Sequence, residues 1–254
     1  MTRARSGKTV TRGRKRLRRL TKGFVMNEGP VSAKLGLRGY PNAAEAIMAA
    51  RDCALAALTG GHVHICHVSA KETVDVVRQA KKQGIRVSAE AAPHHLMLTD
   101  ETLAEYESKY KMNPPLRAQA DVDAVLEGLV DGTVDAIASD HAPHTAEEKE
   151  QELAACPNGI IGLETTLGVI LSLKKIPFDR AVEAMTEAPA GILGLKGKGT
   201  LKAGADADVT LIDPKASWTV DPSSFRSKGR CTPYEKMTLT GRAARVIVGG
   251  RLCS

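Results

Sequence analysis

The stretch 137–144, IASDHAPH, sets an aspartate and two histidines at the end of an apolar run, and the stretch 62–67, HVHICH, closes another on His67. Imidazole and carboxylate both bind divalent metals and move protons near neutral pH, so these two segments are the first candidates for catalysis. In an extended strand successive side chains alternate faces, which puts His62, His64 and Cys66 on one side and Val63, Ile65 and His67 on the other. Three histidines of one strand therefore cannot converge on a single ion without a bulge. His67, the last before the polar VSAKE, is the one expected to face a site, because side chains at the carboxyl ends of strands line the sites of βα enzymes. Asp140 holds the matching place in its own segment, with His141 and His144 continuing into the loop.

The elements that must position these residues alternate. NAAEAIMAARDCALAAL has helical spacing, GHVHICHVS reads as a strand, KETVDVVRQAKKQG as a helix stopped by Gly84, and IRVSAEAA as a strand. Asp121 is expected to cap the helix VDAVLEGLVDG, which hands over to the strand VDAIASD. Such βα alternation predicts a parallel sheet. Two further apolar helices, GLETTLGVILSL and FDRAVEAMTEAPAGILG, precede a change of texture near Gly197. After it, ADVTLIDP and RAARVIVGGRL read as short strands of a small β module.

Other polar stretches have simpler readings. PHH at 93–95 reads as a Pro-initiated helix start, Asn113 in MNPPLR as a polar group held by stiff backbone, and EEKEQE after His144 as a solvated helix face with no chemical role.

Composition narrows the class. The net charge of +7 resides in one place: residues 1–23 hold ten Arg or Lys and no acid, which leaves 26 basic against 29 acidic residues elsewhere. A basic footprint on a folded face is therefore not indicated, and nucleic acid is not an expected partner. Residues 1–25 are expected to lie outside the fold as disordered or non-native chain, with a transit peptide or a nucleic-acid arm as alternatives. Cys53, Cys66, Cys156, Cys231 and Cys253 are scattered, without a C-x-x-C pair, which fits a reducing cytoplasm and not a disulfide framework. No apolar run approaches the ~20 residues a bilayer span needs, so a membrane is not expected either.

Six segments taken together resemble the class I dihydroorotases, of the metal-dependent amidohydrolases: MNEGPVSAKLGLRGYP (26–41), HICHVSAKETVDVVRQAK (64–81), AEAAPHHLMLTD (89–100), KMNPPLR (111–117), DGTVDAIASDHAPHTAEEK (131–149) and GIIGLETTL (159–167). The segment FRSKGRCTPYEKMTLTGRAARVIVGG resembles the family's closing part. Allantoinases and hydantoinases share the superfamily but fit MNEG and MNPPLR less well.

The resemblance implies an α/β fold, a partial (β/α)8 TIM-type barrel over 26–196 with a small C-terminal β-sandwich module over 197–254. It implies reversible interconversion of L-dihydroorotate and N-carbamoyl-L-aspartate in pyrimidine synthesis by a metal-hydroxide mechanism, with zinc (Zn2+) as cofactor. His67 and Asp140 correspond to metal ligands, Asp140 also to the catalytic acid/base, and Asn113, His144, Asn158 and Gly159 to substrate-contacting positions. Position 158 departs from the family's frequent Phe-Gly pattern. A homo-oligomer in the cytoplasm is expected.

The family's H-x-H-x-R segment does not precede Met26, and its HAED-like histidine falls near Arg14. The basic start is thus expected to derive from a truncated or shifted reading frame, and the two remaining ligands to give weak or no activity. The alternatives are an inactive dihydroorotase-like module supporting aspartate transcarbamoylase, or a related allantoinase or hydantoinase.

Overall fold

The computed structural model describes residues 11–12 and 21–253. The strands, in chain order, are β1 (Thr11–Arg12), β2 (Met26–Asn27), β3 (Gly39–Tyr40), β4 (Val63–Ile65), β5 (Val87–Ala91), β6 (Ala136–Ile137), β7 (Val209–Thr219), β8 (Thr238–Val248) and β9 (Arg251–Cys253). β1, β4, β5 and β6 form one parallel sheet in that spatial order, β2 and β3 a short parallel pair, and β7, β8 and β9 an antiparallel sheet. The expected βα alternation accounts for the first sheet: the helix Lys71–Lys82 joins β4 to β5, and the helix Gln119–Val130 precedes β6. Buried strand residues pack with both helices in one core, among them Val63, Ala89, Val74, Val77, Val125 and Leu129.

The segment expected to lie outside the fold does contribute to it. Thr11 pairs with Val63 and Arg12 with His64, so β1 covers the edge of β4. Within the same segment Thr21, Phe24 and Val25 are buried, Val25 in the core, whereas 1–10 and 13–20 lie outside the described residues.

Two local expectations are corrected. Asp121 does not cap its own helix: the cap position is Ala118, and Asp121 accepts from the Lys71 N–H and from Asn42 Nδ2. It thereby serves the start of the neighbouring helix, whose cap residue, Ala70, has no side-chain acceptor. Glu45 completes that start by accepting from the N–H groups of Ser69 and Ala70. The stretch RAARVIVGGRL is not one strand. Gly249 and Gly250, with φ of 56° and 77°, turn β8 back into β9, because two successive left-handed residues match the twist of a tight hairpin.

The antiparallel sheet is a single layer among the described residues. Val220, Tyr234 and Leu239 share a core with Val25, Met26, Leu98 and Met112, so this region is anchored to the α/β part by continuous apolar packing. No helix among the described residues is long and apolar enough to cross a membrane.

Candidate active site

His67 lies two residues beyond β4 and Asp140 three beyond β6, at the carboxyl ends of parallel strands that flank β5. Both residues take left-handed backbone, with φ of 57° and 45°. That region is sparsely populated by residues with a Cβ, and its cost is carried where the surroundings hold it in place. Here its effect is to break the alternation of faces. His67 was expected on the side opposite His64, yet both imidazoles reach the same carboxylate, Glu90 of β5: His64 Nε2 to Oε2 at 3.1 Å and His67 Nδ1 to Oε1 at 3.2 Å. The other nitrogen of His67, Nε2, lies 3.3 Å from Asp140 Oδ1. The sequence expectation that His67 and Asp140 meet is thus matched in geometry.

Behind them the polar contacts continue along the sheet. Ser88, directly opposite His64 in the β4–β5 register, places its hydroxyl 2.8 Å from His64 Nδ1 and 2.9 Å from His62 Nε2. His62, Ser88, His64, Glu90, His67 and Asp140 therefore form one chain of contacts. Burial acts to raise the Glu90 carboxyl, but the His64 hydrogen bond and the charges of His67 and His64 outweigh it and hold Glu90 below its ordinary value. Glu90 was not singled out from the sequence. Its signal was a lone acid in a buried apolar strand, two residues from a serine on the same face.

A second group assembles beside the loop that carries Asp140. His144 Nε2 donates to the Asn158 carbonyl at 3.1 Å, and the Gly159 N–H donates to the Lys111 carbonyl at 3.1 Å. Gly159 adopts a φ of 133°, and an added Cβ would meet Ala142 at 2.8 Å, so glycine is required by both backbone and space. Asn158 Oδ1 is buried with no hydrogen-bond partner among the described residues, whereas the N–H and C=O of Gly159 are both engaged. Asn113 lies two residues after Lys111 and one before Pro114, whose carbonyl accepts from His95 Nε2. His141 Nδ1 accepts from the Gly162 N–H.

The reading of EEKEQE as a solvated face is corrected at Lys149. Lys149 is buried, and its Nζ donates to the carbonyls of Pro157 and Gly159, both at 3.0 Å. Lys111, also buried, donates to the carbonyls of Leu153, Ala154 and Cys156. Two ammonium groups thus gather the carbonyls of 153–159, and burial lowers the pKa of each. The motifs MNEG and MNPPLR meet elsewhere, at Arg117, which is 1% exposed. Its guanidinium donates to Asn27 Oδ1, the Tyr40 carbonyl, Ser69 Oγ and Glu45 Oε2.

His67 Nε2 and Asp140 Oδ1 are spaced as two donors sharing one edge of a tetrahedral site with bonds of ~2.0 Å, about 3.3 Å apart. No third His, Cys, Asp or Glu among the described residues closes with this pair on one ion. A catalytic zinc takes three protein donors, so the pair fits one edge of such a site and not the whole of it.

A histidine and an aspartate at the carboxyl ends of parallel strands, backed by a carboxylate, place this site where α/β folds carry theirs. The chain belongs to the amidohydrolase family, whose profile matches residues 7–253 and so takes in part of the basic start. A dihydroorotase of Pelotomaculum thermopropionicum is 52% identical over 237 residues, 92% of this chain and 55% of that protein. A dihydroorotase of Anaeromyxobacter dehalogenans is 50% identical over 233 residues, 90% of this chain and 54% of that protein. Among solved structures, an L-hydantoinase (dihydropyrimidinase) of Arthrobacter aurescens superposes with a TM-score of 0.80 at 31% identity, over 84% of this chain and 49% of that one. The chain spans about half the length of the curated relatives it matches.

Proposed function

We propose that this chain carries dihydroorotase chemistry, the reversible hydrolysis of the cyclic amide of L-dihydroorotate to N-carbamoyl-L-aspartate, as part of pyrimidine synthesis in the cytoplasm. The observation that carries the reading is the 3.3 Å approach of His67 Nε2 to Asp140 Oδ1 at two strand ends. The roughly 50% identity to named dihydroorotases supports it. Asp140 holds the mobile proton: it accepts one as water adds to the ring carbonyl and returns it to the departing ring nitrogen, and ring closure uses the same group in reverse. Glu90 fixes the His67 ring through Nδ1, leaving Nε2 directed at the reacting centre. Asn113, His144, Asn158 and Gly159 contact the substrate, the imidazole of His144 facing its carboxylate. Asn158 offers its buried Oδ1, and Gly159, whose N–H and C=O are both engaged, contributes the space a side chain would fill and not a hydrogen bond.

Zinc is the metal this reading implies, with His67 and Asp140 as two of its ligands. In the same reading the described part is a portion of a (β/α)8 barrel, over 26–196, and the C-terminal sheet, over 197–254, is one layer of a β-sandwich. Leu211, Val248 and Leu252, exposed on that sheet, are apolar side chains that a second layer would cover. A homo-oligomer is the expected assembly.

The test is zinc content together with ring opening of dihydroorotate by the purified chain. Asp140→Asn should lower turnover at least ~100-fold, the low end of the general acid–base range. Undiminished turnover in that variant refutes the role of Asp140, and preference for a hydantoin over dihydroorotate refutes the substrate. The two-donor count among the described residues favours one second reading, a non-catalytic module that supports aspartate transcarbamoylase. Co-purification with that enzyme, without zinc or turnover, would establish it.

A further inference from the structure

Next to the pair described above, but using none of its atoms, a different set of donors converges. A ring nitrogen of His64, the Cys66 sulfur and a Glu90 carboxylate oxygen all lie within 4.8 Å of one another. We propose that His64, Cys66 and Glu90 form a second cation site, for a thiophilic divalent ion such as zinc, within the parallel sheet behind His67.

The set follows from strand geometry. Residues 64 and 66 share a face of the extended chain, and the β4–β5 register that matches His64 to Ser88 and Ile65 to Ala89 brings Glu90 alongside position 66. Neighbouring donors of a tetrahedral zinc sit roughly 3.3–3.8 Å apart, so closing on an ion draws these donors together by about 1 Å.

His64 is already oriented as a ligand. Its Nδ1 is held by Ser88 Oγ at 2.8 Å, which directs Nε2 to Glu90, the arrangement in which the second ring nitrogen of a metal-bound histidine is fixed by a neighbouring polar group. Glu90 divides its oxygens, Oε2 towards His64 and Oε1 towards His67, so it can serve the ion without releasing His67. His64 is buried while Cys66 and Glu90 are partly exposed, which leaves the donors desolvated yet reachable.

A nitrogen, sulfur and oxygen set selects zinc and similar ions over magnesium or calcium, which prefer oxygen alone. On binding, the Cys66 thiol loses its proton to solvent and the sulfur–metal bond forms, while the His64 ring proton passes from Nε2 to Nδ1, where it is donated to Ser88 Oγ, so that Nε2 and the Glu90 oxygen exchange their mutual hydrogen bond for two metal bonds. Three protein donors leave a fourth position for water, so the ion exchanges more readily than at a closed four-ligand site.

The test is titration of the metal-free full chain with cobalt(II), read by absorption. A sulfur-to-cobalt charge-transfer band in the near ultraviolet, saturating at one equivalent, is expected, and the His67–Asp140 pair cannot produce it because it contains no sulfur. Cys66→Ser should abolish the band, His64→Gln should weaken cobalt binding at least ~10-fold, and Asp140→Asn should leave both unchanged. Absence of the band in the unaltered chain, or its survival in Cys66→Ser, overturns the proposal. Should Cys66→Ser lose its far-ultraviolet circular dichroism, the His64→Gln titration decides, and an unchanged affinity there is equally fatal.

Discussion

Acidification should destabilise this protein through its buried histidine pair, and the effect can be worked out from the structure. His94 and His95 stack edge to face, 4.3 Å between ring centres, and both are at least 98% buried. Burial is the main cause that lowers the His95 pKa from 6.5 to about 4, with the charge of His67 adding to it against the raising effect of the Pro114 contact. Its Nε2–H donates to the Pro114 carbonyl at 3.0 Å, while Nδ1 is buried without a partner among the described residues, so a second proton there would find no acceptor. Between about pH 4 and 6.5 the unfolded chain binds a proton at this position that the folded chain does not, so stability rises with pH in that window. The contribution is complete above 6.5 and is lost as the pH falls through the folded value of about 4. At roughly 1.4 kcal/mol per unit, the whole shift is worth on the order of 3 kcal/mol, of which roughly 2 kcal/mol is lost by about pH 5. His94, pushed well below its usual value by burial and by the charges of His95 and His67, acts in the same direction. The assay is urea unfolding at a series of pH values, for the unaltered chain and for His95→Gln, whose amide can still donate to the Pro114 carbonyl. The variant should show a shallower loss of stability between pH 6.5 and 4. A pH dependence identical in the two proteins would refute the assignment of the titration to His95.

Two further substitutions probe the polar groups that shape the site. Lys149→Met removes the donor to the Pro157 and Gly159 carbonyls and should cost about 2 kcal/mol in urea unfolding. Because that loop carries Asn158, the proposed dihydroorotase reading expects KM for dihydroorotate to rise more than kcat falls, and an unchanged KM would separate the loop from substrate binding. Arg117→Ala leaves Glu45 buried without its cation and should destabilise the fold by roughly 3–5 kcal/mol, measured by chemical denaturation. A loss below about 1 kcal/mol would show that Glu45 is held by Ser69 and Ala70 alone.

The sequence by itself determined the alternation of helices and strands and the parallel sheet, because each follows from local periodicity, while the sharing of one centre by His67 and Asp140 was implied by the family resemblance and by their places at strand ends. The segments 71–82 and 119–130 are helical where apolar residues recur at helical spacing, and 87–91 is extended where they alternate. Tertiary structure alone decided which polar groups meet. The left-handed turn at His67 defeats the alternation that should separate it from His64, and no neighbour in sequence announces it. Asp121 serves a helix 50 residues earlier and not its own, and Lys149 turns inward from a run of charges to bind backbone carbonyls. Glu90 became the hub of the site only when strand register set it beside the histidines of β4. The physical reason is the same in each case: periodicity is a property of a few adjacent residues, whereas a buried charge or donor takes whichever partner folding brings within about 3 Å, and leaving it unpaired costs more than distorting the backbone locally.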